Sequence, residues 1–273
     1  MFKLIKMDFY RFFSSKTIKV GLLMAALVSV GYTLFSLAII ALVNFAVNND
    51  PSMIVGWGEF IPQAGWIAGV NLSEVIFSGT SAFAAFIGCM MTANFIGSEQ
   101  SCGYTKNFAG QLSDKGQMAI SKFVVTSVGH ILVLLTYAVA VGFSAKLILG
   151  KYVTGFDIKN LLLALGMRLF LHIAINAIIV FVCTLTKSHA VAMVAGCIFG
   201  LGITQAAYVS ASMLLNVVKI NIDIVNYMPD GINSLINIHN FAEFAQKGSI
   251  VSAAFIVVFV AATYYVVRNR DVR

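Results

Sequence analysis

Three polar residues, Arg168, His172 and Asn176, follow one another at intervals of four inside an otherwise apolar run. On a helix that spacing stacks a guanidinium, an imidazole and a carboxamide along one face. Ionisable groups at membrane depth are costly, which makes them functional candidates. Two readings stay open for the set. In one, the three line a polar translocation path. In the other, Arg168, roughly 12 Å of helical rise inside Asn160, snorkels to the headgroup layer while its neighbours hydrogen-bond adjacent helices. His130, midway along another apolar run, reads as a neutral, hydrogen-bonded packing residue.

The arrangements that carry catalysis do not occur. The sequence has no G-x-x-x-x-G-K-[ST] to cradle nucleotide phosphates, no H-E-x-x-H to hold zinc and no G-x-S-x-G nucleophile elbow. Gly79-Thr80-Ser81, the nearest serine setting, lacks the second glycine. Cys89, Cys102, Cys183 and Cys197 show no C-x-x-C spacing and read as buried small hydrophobes plus, at Cys102, one free thiol. The chain is expected to catalyse nothing by itself and to bind no cofactor or metal of its own.

The elements that would position these groups are membrane spans. Of 273 residues, 59% are hydrophobic and 11% charged, and a mean hydropathy of +0.90 argues against a soluble domain. Six stretches, 20–47, 75–97, 123–145, 161–186, 190–218 and 250–267, are each long enough to cross about 30 Å of hydrocarbon. The first is too long for a signal-peptide core, so the N-terminus is expected to be retained. Assigned to alternate loops, twelve of the 18 Lys and Arg fall on the side of both termini, which places both ends in the cytosol. The net charge of +7 is therefore a topology signal and implies no nucleic-acid partner. Trp57 and Trp66, in the first outer loop, read as interfacial anchors.

Outside the spans, residues 1–19 read as an interfacial connector helix, with Phe2, Ile5, Phe9, Phe12 and Phe13 on one face and Lys3, Asp8 and Arg11 off it. The inner loop 98–122 reads as a short helix with Phe108 and Leu112 on one side beside Lys106 and Asn107. A turn and a restart follow, in which Asp114 and Gln117 form a capping box. The outer segment 219–248 holds two short apolar pieces split by a turn at Pro229-Asp230-Gly231, interfacial or re-entrant, with a folded hairpin as the competing reading. Gly196 and Gly200 give a G-x-x-x-G spacing that suits close helix approach, from a second copy as a dimer contact or from the same chain. The expected fold is an all-α membrane protein, a single transmembrane domain over 1–273 with six spans.

The inner loop carries a more specific pattern: Glu99, Gly103 four residues on, then Thr105, Lys106 and Asn107, with Lys122 leading into the third span. In layout and in that pattern the chain resembles the permease subunits of type-2 ABC exporters. Their frequent Pro-x-Ser-Arg is replaced here by Asp114-Lys115-Gly116. The resemblance implies a transport subunit that pairs with a second copy or a sister permease and docks a cytosolic ATP-binding subunit, which holds the ATP and Mg. It implies that Glu99, Gly103, Lys106, Asn107, Phe108 and Leu112 form the ATPase-coupling element and that 219–248 forms an outer gate. It implies a multi-pass protein of a bacterial cell membrane, embedded in lipid. Spans rich in phenylalanine, of which the chain has 22, suit an amphipathic or hydrophobic cargo such as a peptide, lipid or drug. The alternative class is a secondary transporter or channel driven by an ion gradient, with Arg168, His172 and Asn176 along its path.

Overall fold

The computed structural model describes residues 1–49, 70–80, 82–103, 114–220 and 222–269. Lys106, Asn107, Phe108, Leu112 and both tryptophans lie outside these residues. Five helices are long and apolar enough to cross a membrane, and six spans result if one bent pair counts as one. These are the helices of a membrane protein.

In chain order the elements are α1 (Phe2–Ser14), α2 (Lys16–Asn49), β1 (Val70–Asn71), α3 (Leu72–Gly79) and α4 (Ala82–Ser101). They continue with α5 (Gln117–Ile148), β2 (Val153–Gly155), α6 (Ile158–Thr186), α7 (His189–Gly200) and α8 (Thr204–Val217). A 3₁₀ turn (Ile224–Tyr227), α9 (Pro229–Leu235) and α10 (Phe241–Asn269) complete them. The fold is all-α apart from β1 and β2, a parallel pair in which Val70 faces Val153 and Asn71 faces Gly155. Ser73 tightens this junction, because its hydroxyl accepts from the Asp157 amide at 2.7 Å.

Side-chain caps start several helices. Asn71 accepts from Ser73 N, Asp157 from Asn160 N and Ser188 from Val191 N, each supplying an acceptor for an amide the helix leaves unpaired. Burial then orders the layers. The apolar window of α3 and α4 is 75% buried and that of α10 only 11%, which puts α4 at the centre and α10 at the periphery. Around α4 the core gathers Phe95 and Ile96 with Val125, Val133 and Tyr137 of α5 and Leu171, Ile175 and Ile179 of α6.

Three expectations are corrected. The stretch 190–218 is not one straight span, since α7 and α8 meet at a 66° bend. Gly202, at φ +71, ends α7 in a Schellman arrangement, with Ile203 N bonded to Ile198 O at 3.0 Å and Gly202 N to Phe199 O at 3.3 Å. Pro229-Asp230-Gly231 is not a turn but the opening of α9, where proline lacks only an amide that the first turn leaves unpaired anyway. Asp114 and Gln117 form no capping box. Asp114 Oδ1 instead accepts from Gly116 N at 2.9 Å, Asp114 Oδ2 accepts from the Tyr264 hydroxyl, and α5 begins only at Gln117.

α1 packs on the bundle through one row of side chains. Its buried row is Leu4, Asp8 and Phe12, whereas Phe2 is 89% exposed and Phe13 also faces outward. Phe12 inserts between helices, edge-on to Phe95 at 5.0 Å between ring centres. Gly129 makes the room, because a Cβ there would lie 2.6 Å from the Phe12 ring. The i, i+4 row that contains an aspartate thus docks the helix on the bundle, and of the apolar face expected at the membrane interface Phe2 and Phe13 stay exposed while Phe12 is buried.

Candidate functional site

Two buried polar assemblies carry the candidate chemistry. The first gathers four charged side chains where α1, the last turn of α4 and the first turns of α5 meet. Glu99 pairs with Lys122 and, at 2.8 Å, with Arg11. Arg11 also reaches Asp8 at 3.6 Å, and Ser121 Oγ donates to Asp8 at 2.6 Å. Asp8 and Glu99 are each 2% exposed, so this is interior chemistry. Glu99 stands at the carboxyl end of α4 and Lys122 near the amino end of α5, each at the terminus whose partial charge has the same sign as its own. What compensates both is the pairing across the two helices, reinforced by Arg11.

The consequence is mechanical. Glu99 and Lys122 stand at the two roots of the connection that contains 104–113, and α1 is ion-paired to the same knot. Gly103, at φ +67, turns the chain out of α4 in a left-handed conformation that suits glycine. Glu99, expected within the coupling element, is turned inward and 2% exposed.

The second assembly is built on α6. Arg168, His172 and Asn176 share one face, as their spacing requires, and all three are buried. Arg168 does not snorkel, being 1% exposed. Its Nη1 donates to the Phe77 carbonyl and, at 2.8 Å, to Thr80 Oγ1; its Nη2 donates to the Ile236 carbonyl at 3.3 Å. The guanidinium carbon lies 3.5 Å from the centre of the Phe77 ring. The reason is local. α3 stops at Gly79, the carbonyls of a last helical turn lack intrahelical donors, and a cation is favoured at that end. Arg168 caps α3 and ties it to the segment after α9.

One turn along α6, His172 meets His130 of α5 edge to face, with 6.4 Å between ring centres. Neither ring nitrogen of His172 has a hydrogen-bond partner among the described residues. Gly88 clears the space for His130, since a Cβ there would lie 2.5 Å from Nδ1. A further turn on, Asn176 joins three helices. Its Oδ1 accepts from Thr92 Oγ1 at 2.8 Å, and its Nδ2 donates to Thr126 Oγ1 and Ser127 Oγ, each at 3.0 Å. Lys122, Thr126 and His130 form a row at four-residue intervals on α5, so α5 links the two assemblies into one polar seam from Arg168 to Glu99.

The glycine pair is corrected as a dimer contact. Gly196 and Gly200 pack on α4 of the same chain, where a Cβ at Gly200 would lie 2.5 Å from Phe86 Cα and one at Gly196 3.3 Å from the Cys89 carbonyl. Outside the spans, two carboxyls are displaced in opposite directions. The Tyr264 hydroxyl and the Gly116 amide hold Asp114 below the usual aspartate range. Burial raises Asp230, partly offset by the Thr204 hydroxyl, which donates to Oδ2, and by Tyr208 Oη, 3.3 Å from Oδ1.

Asp8, Arg11, Thr80 and Ile236 escaped the sequence reading of these sites. A signal existed for the first two, because opposite charges flank the connection 104–113 and Asp8-x-x-Arg11 repeats both signs at helical spacing. None existed for Ile236, which contributes only its backbone carbonyl. No family model matches the chain, and no curated protein is significantly similar to it.

Proposed function

We propose that this chain is the transmembrane permease subunit of an ATP-driven ABC exporter in a bacterial cell membrane, with both termini in the cytosol. The observation that carries the reading is the knot of Asp8, Arg11, Glu99 and Lys122. It fastens both roots of the connection 104–113 to α1. A cytosolic ATP-binding subunit, holding ATP and Mg, docks on Lys106, Asn107, Phe108 and Leu112. Its closure then moves α1, α4 and α5 together, because rigid helices tied at one point share a displacement. A second permease copy or a sister permease completes the path for an amphipathic or hydrophobic cargo such as a peptide, lipid or drug, and the chain itself hydrolyses nothing.

The test is co-purification. Wild-type chain is expected to retain an ATP-binding protein, and Phe108→Ala with Leu112→Ala to release it without unfolding the permease; retention by the double variant refutes the docking role. A second reading, a carrier driven by a proton or sodium gradient, is favoured by one observation, the unpartnered His172 beside His130 within the polar seam. Uphill cargo movement by the isolated chain in vesicles under an ion gradient decides for that reading and against the first.

A further inference from the structure

A cleft of about 330 Å³ opens between α2, α4 and α7, and it shares no residue with either polar assembly. Lys16, Val20 and Met24 succeed one another along its α2 wall, so it follows that helix for two turns, roughly 12 Å. Val20 is 55% and Met24 45% exposed, which shows that the cleft opens sideways from the helix bundle, where a membrane protein meets lipid. The wall is apolar and adaptable, with Met24, Met90 and Met193 supplying unbranched thioethers that follow a flexible chain. One end is polar. There Lys16 is exposed, and Asn94 Nδ2 donates to Thr17 Oγ1 at 3.1 Å. Asn94 Oδ1 lies 3.2 Å from Nε2 of His189, the first residue of α7. Among the described residues no Asp or Glu lines the cleft, so the charge on its wall is that of the lysine.

We propose that this cleft binds one anionic phospholipid. The headgroup phosphate sits on the Lys16 ammonium beside Asn94 and His189, and one acyl chain lies along the methionines. The volume is near the low end for ligand pockets, about 300–1,000 Å³. It takes a length of acyl chain while the rest of the lipid stays in the bilayer. A basic side chain at the membrane surface selects anionic over neutral headgroups by about fivefold. The site belongs to the single chain and does not depend on the exporter reading, so it is tested without an ATP-binding subunit.

The experiment is native mass spectrometry of the full chain released from nanodiscs of equal phosphatidylglycerol and phosphatidylcholine. One phosphatidylglycerol is expected to be retained in preference to phosphatidylcholine. Lys16→Gln is expected to lower that retention about fivefold, while Lys19→Gln, which removes the same charge at an exposed position off the cleft, leaves it unchanged. Met193→Trp, filling the apolar part, is expected to expel the lipid from protein whose thermal unfolding matches wild type. Should that variant be destabilised, Met24→Trp, at a partly exposed position, serves in its place. Equal retention of both lipids by wild type, or equal loss from Lys16→Gln and Lys19→Gln, overturns the proposal.

Discussion

Arg168 closes the carboxyl end of the helix Leu72–Gly79 by donating to the carbonyl of Phe77, 91 residues earlier in the chain. Its second nitrogen reaches Ile236, so one side chain holds a helix end and a distant loop in place. Arg168→Met would leave Thr80 Oγ1 and the Ile236 carbonyl short of a donor in a buried setting. The expected cost is about 2–4 kcal/mol. Arg168→Lys restores the charge but not the planar fork, so it should recover less than half of that. Thermal unfolding in detergent measures both, and wild-type stability in the methionine variant would show the guanidinium to be idle.

The pair Glu99 and Lys122 makes a different prediction, because each partner is buried against the other. Glu99→Gln alone strands the buried Lys122, at about 3–5 kcal/mol, whereas Lys122→Met alone leaves Glu99 with Arg11 as its one cationic partner and should cost less. The double variant should cost clearly less than the sum of the two, since the stranded charge is gone. Arg11 and Asp8 stay behind as a weaker pair, so full recovery is not expected. Strictly additive losses would mean that the two residues do not sense one another.

The sequence exposes one half of each assembly. The four-residue spacing of Arg168, His172 and Asn176 is a property of one helix and can be read from it, as can the apolar lengths of the spans. What Arg168 touches is not local, since Phe77 and Ile236 act through carbonyls that every residue possesses. The row by which α1 packs on the bundle was hidden for a related reason. Five apolar side chains outweigh one aspartate in any count, yet Asp8 is buried because Ser121 and Arg11 wait for it. The bend after Gly200 was legible in principle through Gly202. A glycine inside a long apolar run serves equally as a packing surface and as a helix terminator, and only the tertiary setting decides.

Gly200 separates packing from association. Its missing Cβ faces Phe86 Cα, and a backbone atom of the central helix has no rotamer by which to withdraw. Gly200→Ala should therefore destabilise the folded chain by about 1–3 kcal/mol while leaving the oligomeric distribution of the surviving protein unchanged. Mass photometry in detergent beside an unfolding curve tests both halves. Loss of oligomer with stability intact would return the glycine to an interface between copies.

Asp230 should give the chain a characteristic response to acid. Its folded-state pKa lies above the ordinary 3.8 because burial disfavours the carboxylate, so at neutral pH the native state carries a charge it would rather lose. As pH falls through the folded value, protonation relieves that cost and stability from this group rises. The rise ends near 3.8, where the unfolded chain takes up its proton as well. Asparagine keeps the shape and one acceptor for Thr204 or Tyr208 but carries no charge. Asp230→Asn should accordingly melt about 2–4 °C higher than wild type at pH 7, with the two curves converging towards pH 4. Asp114 contributes with the opposite sign, since its depressed pKa stabilises above 3.8 and the benefit is lost as pH falls through the folded value. That term is common to both proteins and cancels in their difference, so a constant gap between the curves across the pH range would show that Asp230 does not titrate as its surroundings require.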